Sequence, residues 1–242
     1  MSLLKDFKAT GKDQAMQLLE SGASNLKAMQ KLYEELFPFP KLSAASNDFK
    51  SMATTASNEK VAKAVISTLD QVEEVSEMTR KLEYFIILHI PKIEDGGNFG
   101  VGVQLDLVKK LGEILEASSK ATEDLLGYQN ARAEALGKLS LPSTSTTVTK
   151  SAGATTTDGK KEEKTSETTE EKQTSSSLGV SFESRVLAVA AVDTLYYSKA
   201  RAAFQSCMLN FMSAIDFVDK NKDKLVQPKG SGGSGSSHFS MY

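Results

Sequence analysis

The chain has 242 residues, with 29 Lys+Arg against 31 Asp+Glu and a formal net charge of -2. That near-neutral balance gives no electrostatic case for nucleic acid or an anionic membrane as principal partner. The single cysteine, Cys207, excludes an intrachain disulfide framework and points to a reducing compartment; no apolar run approaches the roughly 20 residues needed to cross a bilayer.

In chain order, five prolines (Pro38, Pro40, Pro91, Pro142 and Pro228) sit at composition changes and separate long periodic stretches. Residues 1–11 mix Lys5, Asp6 and Lys8 with apolar residues and lack a secretory h-region, so a soluble intracellular protein is expected. The first predicted helix covers about 13–36, where Ala15, Leu18, Gly22, Leu26, Met29, Leu32 and Leu36 recur at three- and four-residue steps. Phe37-Pro38-Phe39-Pro40 stops it, because two prolines remove donors and fix φ. The second covers about 46–89; Val61, Val65, Thr68, Val72, Val75, Thr79, Leu82 and Ile86 follow the 4-3-4-3 rhythm of a coiled-coil-like seam.

Pro91 then biases Ile90 away from the α region, and Gly96, Gly97, Gly100 and Gly102 permit positive φ and close approach of another chain. Glu94, Asp95, Asn98 and Phe99 stand among them. A plain helix–helix turn needs only a few polar residues, so this stretch reads as a contact device at one end of a helical bundle. The third helix covers about 104–139, with a stripe of Leu105, Val108, Leu111, Leu115, Thr122, Leu126, Gln129, Ala133 and Leu136. Gly112, Gly127 and Gly137 within it mark either close backbone approach or bending and fraying.

Residues of about 142–178 are Ser, Thr, Lys, Glu and Gly with almost no aliphatic side chain, and are expected to be a disordered insert. The fourth helix covers about 181–225. Tyr196, Ala200, Ala203, Cys207, Phe211, Ala214 and Val218 form its seam, while Val189, Val192, Leu195, Leu209, Met212 and Phe217 lie off it. An apolar surface that wide exceeds what one intramolecular groove requires and argues for self-association. Residues 230–237 are a clean Gly/Ser run, read as a flexible linker of engineered origin. His238-Phe239-Ser240-Met241-Tyr242 after it is either a grafted binding motif with a free carboxylate or an inert terminus.

Catalytic chemistry is hard to place. Lys92 precedes the glycines, which defeats a Walker A reading, and their spacing also fails G-x-G-x-x-G. His89 and His238 are the two histidines, and Ile86 stands three before His89, which excludes the Glu-x-x-His pairs of a di-iron bundle. His89 reads as a helix-end residue and Cys207 as a small buried hydrophobe. Tyr196, Tyr197, Phe204, Phe211 and Phe217 could line a lipid or cofactor cavity, but core and subunit packing is the preferred account. Neighbouring Glu94 and Asp95 are expected to accept backbone hydrogen bonds rather than act as an acid/base pair.

Pro91-Lys92-Ile93-Glu94-Asp95-Gly96-Gly97-Asn98-Phe99-Gly100-Val101-Gly102-Val103-Gln104 closely resembles the activation loop of the 11S (REG-type) proteasome activators. The match is gapless over about fourteen residues and sits between the second and third predicted helices, as in that family. The position of the long insert most resembles the kinetoplastid (trypanosome) member, whereas mammalian members carry theirs between the first two helices.

The resemblance implies an all-α antiparallel four-helix bundle over residues 1–229 that assembles into a heptameric ring capping the 20S proteasome. Loop contacts with the proteasome α subunits would come from Glu94, Asp95, Gly96, Gly97, Asn98, Phe99 and Gly100. Phe239, Ser240, Met241 and Tyr242 of the 238–242 tail would enter pockets between α subunits, a carboxylate-capture mode of recognition. The expectation is a non-enzymatic, ATP-independent activator in the cytoplasm, or in cytoplasm and nucleus. Metal, cofactor, nucleic acid and membrane are not expected to take part. The alternatives are a helical lipid-binding protein and a coiled-coil scaffold.

Overall fold

The computed structural model describes residues 3–91, 99–139, 182–226 and 228. Glu94 to Asn98, the 142–178 insert, the 230–237 linker and the 238–242 tail lie outside the described residues, as does the side chain of Phe99. Six α-helices occur among the described residues: α1 (Leu3–Leu36), α2 (Leu42–Lys50), α3 (Glu59–His89), α4 (Phe99–Leu126), α5 (Tyr128–Gly137) and α6 (Phe182–Val226). The long helices α3 and α6 pack along each other, with α1 and α4 each lying against both; α2 and α5 pack on α6.

Each break has a local cause. Phe37 N–H still closes a helical bond to Tyr33 O at 2.9 Å, and the prolines behind it then end α1. The aromatic residues of that turn do more than punctuate. The Phe37 and Phe39 rings lie 5.3 and 6.0 Å from Tyr197, and Phe39 lies 6.0 Å from Phe49. They fill the core where α1, α2 and α6 converge, in edge-on geometries favoured by the ring quadrupoles.

The single helix expected over 46–89 is two helices. Ser51 Oγ donates to Asp48 O at 2.7 Å and Thr55 Oγ1 to Met52 O at 2.6 Å, and such hydroxyl-to-backbone bonds compete with helix continuation. Asn58 restarts the helix: it is extended (φ -103°, ψ 97°) and its side chain accepts from Val61 N–H. Beyond it all eight residues of the expected α3 seam are buried.

The expected stripe of the third helix is rotated by one residue at both ends. Leu105 and Leu126 are 54% and 64% exposed, while Gln104, Leu107, Leu111, Leu125, Tyr128 and Arg132 are buried. The expected stripe left Gln104 and Arg132 off the buried face, yet both are interior, where each donates to backbone carbonyls. Gly127 separates α4 from α5; a Cβ there would sit 2.9 Å from the Tyr196 hydroxyl, so close approach explains this glycine. Gly112 has nothing within 4 Å of a Cβ position.

The core falls into a larger cluster around Phe37, Phe49, Tyr197, Phe204 and Phe211 and a second around Ala15, Leu82, Phe85, Ile86, Leu111 and Leu225. A third, small cluster of Ala53, Val189 and Ala190 closes the end where α5 meets α6. Val189, expected off the seam of the fourth helix, is therefore core. Leu195, Leu209, Met212 and Phe217 are exposed, as an unpartnered apolar face requires.

At the end of the bundle far from His89, Arg132 and Asp193 form a buried ion pair, Nε to Oδ1 at 2.9 Å, with side chains 2% and 0% exposed. Tyr128 Oη donates to the same carboxylate at 2.9 Å and Asn58 Nδ2 at 3.0 Å. The rest of the guanidinium donates to Thr55, Ala56 and Met52 carbonyls at 3.0, 2.9 and 2.9 Å, holding the turn between α2 and α3. Asp193→Ala would strand a buried cation and is expected to cost about 3–5 kcal/mol. Urea denaturation should show the Arg132→Met/Asp193→Leu double variant less destabilised than Asp193→Ala alone; the reverse order would refute the pairing.

Candidate partner-binding site

The two helix ends that bracket residues 92–98 meet at the opposite end of the bundle. Pro91 disfavours the α conformation for the residue before it, and Ile90 is accordingly extended (φ -64°, ψ 122°), so α3 ends at His89. His89 is a helix-end residue as expected: its Nδ1 lies 2.7 Å from Phe85 O. A carbonyl only accepts, so Nδ1 carries the proton. The His89 ring also lies tilted against Phe85, itself fully buried, with centroids 4.7 Å apart and planes inclined at 52°.

Eight residues past Pro91, α4 begins at Phe99. A Cβ on Gly100 would overlap the Pro228 backbone at its Cα, C and O atoms, so only glycine admits this approach of the chain that follows α6. Of the expected loop contacts, then, Phe99 and Gly100 open α4, and Gly100 faces the departing C-terminal segment.

One residue unites these pieces. Gln104 is fully buried, and its Nε2 donates to His89 O at 3.2 Å and to Leu225 O at 2.9 Å. The last carbonyls of a helix lack intrahelical partners, and one amide here serves two helix ends at once. Because both partners are acceptors, the amide orientation is fixed. Its Oε1 is buried without a hydrogen-bond partner among the described residues.

Residues proposed for other chemistry lie elsewhere. Cys207 is 4% exposed, with Sγ 3.5 Å from Gln71 O. Burial first, and the nearby Glu74 charge second, push its thiol up to about 12, which suits a small hydrophobe and not a nucleophile. Tyr197, Phe204 and Phe211 pack in the core, whereas Phe217 lines a pocket between α4 and α6 and lies under the Lys110 ammonium at 4.2 Å. Among the described residues, no group of three or more His, Cys, Asp or Glu could hold a metal ion, and no helix is long and apolar enough to cross a membrane.

The sequence reading passed over Gln104, Asn58, Arg132 and Asp193. Asp193 carried a signal: one acid inside the apolar run Val186 to Leu195 of the fourth helix must be paired if buried. Gln104 carried none that periodicity could register.

The long-helix bundle is a fold shared with solved 11S activators. PA28, the 11S subunit of the Plasmodium falciparum proteasome, superposes with a TM-score of 0.60 at 17% identity, covering 93% of this chain and 92% of that one. PA26 solved with an archaebacterial 20S proteasome gives a TM-score of 0.64 at 16% identity over 99% and 98% of the two chains. PA26 from Trypanosome brucei, solved with the yeast 20S proteasome, gives 0.58 at 14% identity over 96% and 98%. Residues 54–143, which contain the whole Pro91–Gln104 stretch, match the family model "Proteasome activator PA28, C-terminal". The resemblance carried by the loop sequence is thus met in both fold and family model, while no curated protein sequence matches the chain.

Burial keeps Cys207 protonated in the folded chain, so its contribution to stability is complete below the ordinary thiol value of 9.0 and declines as pH rises toward about 12. Burial likewise raises Tyr197 and Tyr128, the latter helped by Asp193. Thermal melts should fall progressively above about pH 9, and Cys207→Ala should shed part of that slope. An unaltered slope would place the alkaline sensitivity elsewhere.

Proposed function

We propose that this chain is an ATP-independent activator of the 20S proteasome, a binding protein and not an enzyme, which docks on the α-ring and opens its gate to admit peptides. The observation that carries this reading is the Pro91–Gln104 sequence, which follows α3 and includes the start of α4, within the region that matches the PA28 model. Support also comes from the fold neighbours solved in complex with 20S proteasomes.

In this reading Glu94, Asp95, Gly96, Gly97, Asn98, Phe99 and Gly100 contact the α subunits. The glycines let two backbones meet, and the acids and Asn98 satisfy the partner's polar groups. Residues 1–229 form the bundle, and the 230–237 linker carries a binding tail whose contacts come from Phe239, Ser240, Met241 and Tyr242. The exposed Leu195, Leu209, Met212 and Phe217 of α6 and Leu126 of α4 favour side-by-side association into a homo-heptameric ring. One short tail binds weakly; several on a ring act together through effective concentration. The cytoplasm, or cytoplasm and nucleus, is the compartment where such a ring would meet its partner.

The test is hydrolysis of a fluorogenic peptide by latent 20S proteasome without ATP. Strong stimulation is expected, abolished by Asn98→Tyr or Glu94→Ala with ring assembly and docking intact. Survival of stimulation in both variants would refute the loop assignment. Deleting residues 238–242 should weaken apparent affinity by about 100-fold or more if the tails act multivalently, read by surface binding to immobilised proteasome; unchanged affinity would make the tail an inert terminus.

A further inference from the structure

Three chain segments converge where Gln104 is buried: the last turn of α3, the first turns of α4 and the last turn of α6. We infer that Gln104 is the positioning residue of the proposed loop, fixing the spacing between the helix ends from which residues 92–98 spring and tying both to the end of α6. The inference rests on the activator reading for its functional consequence, though not for its structural one.

Three observations carry it. First, the Gln104 side chain makes both its hydrogen bonds to carbonyls on other helices, one 15 and the other 121 residues away in sequence, so these bonds join helices and are not internal to α4. Second, its partners are groups no helix can satisfy for itself: His89 O at the end of α3 and Leu225 O in the last turn of α6. Third, the same pole is closed on its other sides by shape. Leu225, Phe85, Ile86 and Leu107 are buried together, and Gly100 lies against the Pro228 backbone. Apolar packing resists separation of these helices but is nondirectional. The two hydrogen bonds add direction, fixing both rotation about α4 and the height at which its first turn stands beside His89.

A loop that acts by touching another protein is useful only if its two ends hold a set separation. A misplacement of about 1 Å in a contacting group is enough to lose most of its effect. Gln104 therefore acts through the loop and does not itself meet the partner.

Gln104→Met, which keeps length and volume but removes the donors, is the discriminating variant. Hydrogen exchange and peptide hydrolysis are read together on the whole chain, with Val75→Ala as a comparably destabilised core control remote from this pole. Native-state exchange at the Ile90 amide, bonded to Ile87 O at 3.2 Å, should accelerate about tenfold in Gln104→Met and stay unchanged in Val75→Ala. At saturating activator, stimulation of latent 20S proteasome should fall at least about fivefold in Gln104→Met, with affinity for the proteasome within about twofold of the parent. Equal exchange at Ile90 in Gln104→Met and parent overturns the inference, as does an equal loss of stimulation in Gln104→Met and Val75→Ala. Failure of the unaltered chain to stimulate sinks the activator reading instead, and the exchange result alone then decides the positioning role.

Discussion

The Arg132–Asp193 pair is the constraint on which the rest of the bundle depends. Burying two charges is costly, and only a filled set of partners offsets it. Here the carboxylate receives bonds from Arg132, Tyr128 and Asn58, and three further guanidinium N–H groups donate to the carbonyls of Met52, Thr55 and Ala56. The pair thereby joins α5, α6, the start of α3 and the turn behind α2 at one point. An apolar side chain could fill that space but could not dictate which turn of α6 faces which turn of α5. With that register set, α3 and α6 run away from the pair to the opposite pole, where their ends arrive side by side.

The two poles use one device in different strengths. At one, a charged fork serves the carbonyls of a turn between helices; at the other, the neutral amide of Gln104 serves the last carbonyls of two helices. Between them the core is made of interlocking side chains that specify distance better than rotation. Thr68, Ser76 and Thr79 along α3 each return their hydroxyl to the backbone four residues earlier at 2.7 Å, so they enter the apolar interior without needing a cross-helix partner.

Much of this was legible in the sequence where burial and hydrophobicity coincide. The α3 seam was readable residue by residue, because Val, Leu and Ile fall on it and Thr fills the gaps. The α1 stripe was equally plain, with Ala15, Met29 and Leu36 buried where the period places them. The phase of α4 and α5 was not legible, because a glutamine and an arginine occupy inward positions while Leu105 and Leu126 face out. Periodicity assumes that polar residues prefer water; Gln104 and Arg132 prefer carbonyls left bare by other helices, and those are known only once the helices are placed. The interruption at 51–58 escaped for a related reason, since no proline or glycine announces it and Ser51, Thr55 and Asn58 end and restart the helix through hydrogen bonds. For the site, the break between the two long helices that flank residues 92–98 was legible from Pro91. The amide that joins its two flanks was not.

The contact of Gly100 with Pro228 has a consequence for how such a chain can change over time. Backbone meets backbone there, so the point at which the C-terminal segment leaves the bundle is set without reference to any side chain beyond it. Whatever follows residue 228 can be lengthened, shortened or replaced while the bundle below keeps its shape. The body and its terminus are thus separable in design: the exit of the chain from the bundle is fixed by backbone alone.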